Sequence, residues 1–242
     1  MITAESVVAK IVTFIVQKTL GKIVSLPFDK RKKACRALTK LYYCVQSLDD
    51  VTESFLETYK CHCDSGKADG LVHALNNHMR DVELATNMFI DLSQELDPGL
   101  ELIDPALARC CHALYMGKSD FLSFMSNSVH WDRSVPKPCI VLKRPQGRME
   151  LADMERMYKL SKEAIEAGEK HYWPVSTFDE FGQDFKDISV GFEDEAVATE
   201  LYEMIVQQNR LLKSAKESLR ALIKDSFSIE EVLFQSDSHP YR

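Results

Sequence analysis

Chain breakers are scarce: nine glycines and eight prolines in 242 residues. So few favour long helices over a sheet built on tight turns. Also lacking is any uninterrupted apolar run of the roughly 18–20 residues a membrane-spanning helix needs. The strongest candidate, SVVAKIVTFIVQKTLGKIVSLPF (Ser6 to Phe28), is broken by Lys10, Lys18 and Lys22. The seven cysteines are odd in number and follow no regular framework, and no small-residue cleavage site follows the first apolar run. The expected setting is therefore a reducing cytoplasm, with contact to a membrane only from its surface.

Several chemistries are excluded by spacing. A di-iron bundle needs Glu-x-x-His pairs, and no Glu has a His three positions on. Gly117-Lys118-Ser119 looks like the end of a phosphate-binding loop, but His112 stands where its first glycine belongs. Helical ribonucleases of the HEPN type carry an Arg followed by a His after four to six residues, and none of the seven histidines has an Arg at that offset. No catalytic residue and no cofactor is assigned.

What is present is helical periodicity. Apolar residues recur alternately four and three positions on through Ala34, Leu38, Leu41, Val45, Leu48, Thr52, Phe55 and Tyr59. A second run follows Leu71, Leu75, His78, Val82, Ala85, Phe89, Leu92 and Leu96, and a third Val197, Leu201, Met204, Gln208, Leu211, Ala215, Leu219 and Leu222. Each run covers about 25 residues, or about 38 Å of helix. Asp104-Pro105 reads as an N-cap followed by a first-turn proline, opening a helix through Leu107, Cys111, Leu114, Phe121, Met125 and Val129. Cys63 to Gly66 and Asp97-Pro98-Gly99 read as short turns.

These spacings predict an all-α fold, an elongated up-and-down bundle of five to six helices with one irregular crossover. The expected organisation is a single helical domain over 1–242, with a four-helix portion at 1–130 and a crossover at 131–148. That crossover holds a short β segment near 139–142; helices follow at 149–225, then a tail at 226–242. In the tail, Glu231 to Gln235 resembles a picornaviral protease site without its leading Leu and trailing Gly-Pro.

Metal ligation has weak candidates in Cys61, Cys63 and His78, but Cys-x-Cys is an uncommon zinc pairing, and an incidental role is the stronger reading. His78 and Gln208 fall in apolar seams, where a buried polar residue must find a partner. Cys110 and Cys111 read as small core residues.

Charge is distributed unevenly. The chain carries a formal −7, yet Met1 to Val45 holds nine Lys and Arg against Glu5 and Asp29. Lys30, Lys33, Arg36 and Lys40 fall along one helical face and are the expected interaction residues. Such a stripe suits an acidic protein or an anionic membrane surface. The acidic remainder and the lack of interleaved aromatics disfavour nucleic acid.

In the first helix, Val8, Val12, Ile15, Val16, Leu20 and Ile23 form the expected partner or membrane face, opposite a narrow stripe of Ser6, Lys10, Thr13, Gln17 and Gly21. About ten large apolar side chains at roughly 1.5–3 kcal/mol each demand a cover in the resting state. The order of apolar N-terminal helix, basic stretch and long seam-forming helices resembles, over the first half of the chain, the layout of HeLo-type helical executioners. That resemblance implies a membrane-active effector of the cell-death or defence type that releases its first helix. The residues themselves favour a non-enzymatic interaction or assembly module, associating with itself or with a protein partner through apolar helix faces and the basic N-terminal third. A divergent helical enzyme is the remaining alternative.

Overall fold

The computed structural model describes residues 4–65, 77, 80–81, 84, 98–111, 129–132, 139–145, 151–169, 185–191 and 195–233. It is an all-α helical bundle with a small sheet beside it. Helix α1 (Ala4–Thr19) leads through a 3-10 turn (Ile23–Ser25) into α2 (Phe28–Ser65), and α3 (Leu151–Glu166), α4 (Glu195–Ser226) and the short α5 (Ile229–Leu233) follow. Residues 98–103 and 105–111 are also helical.

The first periodic run lies wholly inside the core: all eight of its residues, Ala34 to Tyr59, are buried. At 38 residues, α2 is about 57 Å long. Its partner is α4, which runs antiparallel to it. Asp49 pairs with Lys216, Glu53 with Lys213, and Tyr59 stacks on Tyr202 at 5.9 Å, so rising numbers on α2 meet falling numbers on α4. Helix α1 packs chiefly on α4 as well, making α4 the shared partner of the two N-terminal helices.

The third run needs a correction. Ile205, Gln208, Leu212, Ala215, Leu219 and Leu222 form the buried stripe of α4, whereas Leu211 is 44% exposed. Gln208 and Asn209 widen that stripe with polar groups whose carbonyl oxygens have no partner among the described residues.

Local signals decide where helices stop. Gly21 has φ +78 and follows α1, in the left-handed conformation that glycine adopts without a Cβ clash. Gly168, at φ +75, closes α3 with a paired motif: its N–H donates to Ile165 O (3.0 Å) and that of Glu169 to Ala164 O (2.9 Å). Gly99 answers a different need, because a Cβ there would lie 2.8 Å from the Ala37 Cβ. Segment 98–103 therefore approaches α2 as closely as only glycine allows. Pro98 and Gly99 are helical, not a turn.

The crossover contains more sheet than the spacing predicted. Strands β1 (Val129–Asp132), β2 (Cys139–Pro145) and β3 (Phe185–Gly191) form an antiparallel sheet in the order β1-β2-β3. Val129 pairs with Leu142, and Cys139 with Gly191. The β segment expected near 139–142 is thus the central strand. Val129 begins a strand and does not end a helix, and β3 lies between the helices expected over 149–225. All eight residues of the second run, Leu71 to Leu96, and the helix expected over Leu114 to Met125 lie outside the described residues, while Cys63 to Ser65, expected to open a turn, continue α2.

The Asp49–Lys216 pair sits in the α2/α4 seam with side-chain exposures of 1% and 13%. Removing one member of a buried ion pair leaves the other charged and uncompensated, at a cost of about 3–5 kcal/mol, whereas replacing both by apolar groups is often near neutral. In chemical denaturation, Lys216→Met is expected to lose about 3–5 kcal/mol, and Asp49→Leu with Lys216→Met to recover most of it. Equal losses in the single and double variants would show that the pair does not hold this seam.

Candidate functional site

The α1–α2 corner and α5 meet at one end of the bundle, because the antiparallel return of α4 carries the chain back there. The joint between them is built on Arg31. Its Nε and Nη2 donate to Glu231 Oε1 and Oε2 at 3.0 and 2.9 Å, and Nη2 also donates to Ser226 O at 2.8 Å. One guanidinium thus grips a carboxylate with a two-pronged fork and satisfies a carbonyl at the end of α4.

Glu231 is itself positioned by a reciprocal cap. The Ser228 N–H donates to Glu231 Oε2 (2.8 Å), and the Glu231 N–H donates to Ser228 Oγ (3.2 Å). This is the Ser-x-x-Glu capping box of a helix start. Ser228-Ile229-Glu230-Glu231 falls in the expected tail, where no periodic apolar run marks a helix. The tail is partly helix, and the Glu of the protease-like EVLFQ stretch is a structural residue.

The cap turns α5 inside out. Glu231 is buried and Val232 is partly buried, while Ile229 and Leu233, four positions apart on one face, are 77% and 64% exposed. Beside them the α1–α2 corner exposes Leu20, Val24 and Phe28 by 60–66%. A groove of about 620 Å³ between α5 and the start of α2 is lined by Leu26, Phe28, Arg31, Lys32, Ser228, Glu230 and Glu231.

The expected interaction residues Lys30, Lys33 and Arg36 are exposed, and Lys40 is half-buried. Lys32 joins them, its Nζ 4.6 Å from the centre of the Phe28 ring. Lys22 has a different task. Its ammonium pairs with Asp104, which also accepts the Tyr158 hydroxyl (2.7 Å) and the N–H groups of Ala106 (3.0 Å) and Leu107 (3.2 Å). The Asp104 N-cap read from the sequence is thus present, and it is also an anchor for the end of α1.

Of the six face residues expected on the first helix, Val8, Val12 and Ile15 of α1 are buried within the protein's own core, as is Ile23, which falls in the 3-10 turn beyond it. Val16 is partly buried, and Leu20 is exposed. The covered side is turned toward Ile11 and Phe14, both buried, with the Phe14 ring edge-on to Tyr158 at 6.0 Å.

Among the metal candidates, Cys61 is exposed, Cys63 lies in the last turn of α2, and His78 is outside the described residues. No three His, Cys, Asp or Glu side chains gather as metal ligands among the described residues. Cys110 and Cys111 are fully buried. Burial, reinforced by the charge of Glu155, pushes the Cys110 thiol to about 12, so it is protonated and unreactive at neutral pH. Burial likewise lifts Cys44 to about 11. No helix among the described residues is long and apolar enough to cross a membrane.

The two ties are sensitive to acid. The Ser228 N–H, and then the Arg31 fork acting against burial, lower the Glu231 carboxyl below its ordinary 4.5. At Asp104 burial works in the opposite sense but is outweighed by hydrogen bonds from Lys22, Tyr158 and Leu107, so it too lies below its ordinary 3.8. A carboxyl whose pKa is depressed on folding contributes stability above its unfolded pKa and loses it as pH falls through the folded value. Melting temperature should therefore drop as pH falls below about 4.5. Glu231→Gln should cost about 1–3 kcal/mol at pH 7 and flatten part of that acid limb. Thermal unfolding from pH 7 to pH 3 measures both, and an unchanged acid limb in Glu231→Gln would exclude this carboxyl as its source.

No protein-family model, curated protein or solved structure matches this chain.

Proposed function

We propose that the chain is a non-enzymatic interaction module that docks through the basic end of its bundle while the bundle stays closed. One observation carries this reading. Of the nine large apolar side chains exposed among the described residues, five (Leu20, Val24, Phe28, Ile229 and Leu233) gather at that end, beside Lys30, Lys32 and Lys33. Exposed apolar groups scattered singly need no explanation, but a cluster with a charged rim marks an interaction surface. The rim supplies orientation and encounter rate, and the apolar centre supplies affinity.

Release of α1 is the costlier alternative. Val8, Ile11, Val12, Phe14, Ile15 and Ile23 are each no more than 2% exposed. Freeing these six would forfeit roughly 9–18 kcal/mol at about 1.5–3 kcal/mol each, as much as the roughly 5–15 kcal/mol that holds a typical domain folded. Lys18–Glu155 and Lys22–Asp104 would break as well. Releasing α1 amounts to unfolding, whereas docking through an already exposed end requires no rearrangement.

Site-specific photo-crosslinking tests the reading. A benzophenone side chain placed at Lys33 of the full chain in its native cells is expected to give discrete adducts by mass spectrometry. The same group at exposed Lys60, far along α2, is not. No adduct at Lys33, or equal adducts at both positions, would overturn docking through this end.

A further inference from the structure

We infer that the occupant of this end is an anionic membrane surface, a conclusion that rests on the docking reading above. The cations that remain after the internal ties are made are the first reason. Lys22 is held by Asp104 and Arg31 by Glu231, so the exposed rim is led by Lys30, Lys32 and Lys33. With exposed Lys224 at the end of α4 they make four lysines against the three exposed carboxylates of the start of α2, the end of α4 and α5, namely Asp29, Asp225 and Glu230. Protein interfaces are depleted in Lys and enriched in Tyr and Trp. Here the rim is lysine, and Phe28 is the exposed aromatic among the described residues of this end.

Placement of the apolar groups is the second reason. They stand on a turn, a 3-10 helix and three helix termini, with exposures of 60–77%. Protruding tips of this kind enter the acyl boundary of a bilayer without needing a complementary cavity. Lys32 sits over the Phe28 ring at 4.6 Å, so the ring can sink while the ammonium stays among lipid phosphates, as long basic side chains do when they snorkel. The resulting attachment is peripheral, reversible and sensitive to salt.

Each lysine near an anionic surface contributes about five-fold in affinity, so three contribute about a hundred-fold. The purified full chain is mixed with extruded vesicles of phosphatidylserine and phosphatidylcholine, or of phosphatidylcholine alone, loaded with a self-quenching dye. Co-sedimentation is expected with the anionic vesicles only, without dye release. Lys30→Gln/Lys32→Gln/Lys33→Gln should weaken binding about a hundred-fold, Val24→Ser/Phe28→Ser should also weaken it, and Lys60→Gln should leave it unchanged. Circular dichroism confirms that each variant is folded.

Failure of the folded chain to bind anionic vesicles, or undiminished binding by the charge variant, would overturn the inference. Dye release dependent on protein would overturn its closed-bundle geometry. Vesicles left unbound while Lys33 crosslinks to a protein would reject the lipid surface and leave the docking reading standing. Unbound vesicles with no crosslink at Lys33 would end both.

Discussion

Helix α1 presents Val8, Ala9, Ile11, Val12, Phe14 and Ile15 to the interior at 3% exposure or less, and much of the bundle follows from the need to keep them dry. A helix apolar over so much of its circumference must be enclosed, not merely laid on a surface. Helix α4 does most of the enclosing, and α2 reaches the same core by packing along α4 in the opposite direction. Polar contacts then fix where the enclosed helix ends. Thr19 is buried yet donates its hydroxyl back to Ile15 O (2.7 Å), Lys18 pairs with Glu155 on α3, and Lys22 pairs with Asp104. Apolar burial drives the packing, and these directional bonds set its register.

Legibility in the sequence tracked the range of the interaction. The α2 seam could be read residue by residue because helical period and burial against one long partner are the same fact seen twice. The Asp104 cap was legible for a similar reason, since the side chain bonds N–H groups two and three residues on. On α4 the reading drifted at Leu211. Gln208 is buried as its place in the run predicts, and polar Asn209 is buried beside it, but leucines stand at both 211 and 212, so the period alone does not say which of the two faces inward. The Ser228–Glu231 capping box was visible in principle, as a spacing of three, but short elements near a chain end carry little periodic signal to draw the eye.

Contacts between distant residues were not legible at all. Arg31 and Glu231 are 200 positions apart, and nothing local to either marks the other as its partner. The pairing requires α4 to return antiparallel along α2, and that topology had to be seen. The sheet was missed in part for the same reason: β2 had its own β-like composition, whereas β1 and β3 exist as strands by pairing with it.

The basic N-terminal third consequently divides into two populations that its sequence presents as one. Lys18, Lys22 and Arg31 are ties, each directed at a carboxylate on another element and each holding part of the fold. Lys30, Lys32 and Lys33 face outward around Phe28. The ties make the outward set effective. By clamping Glu231 inward, Arg31 neutralises a carboxylate that would otherwise offset the lysines, and the same clamp rotates Ile229 and Leu233 outward beside them. A single fork thus sets both the charge and the apolar content of this end, so the stability of the joint and the character of the exposed surface cannot vary independently.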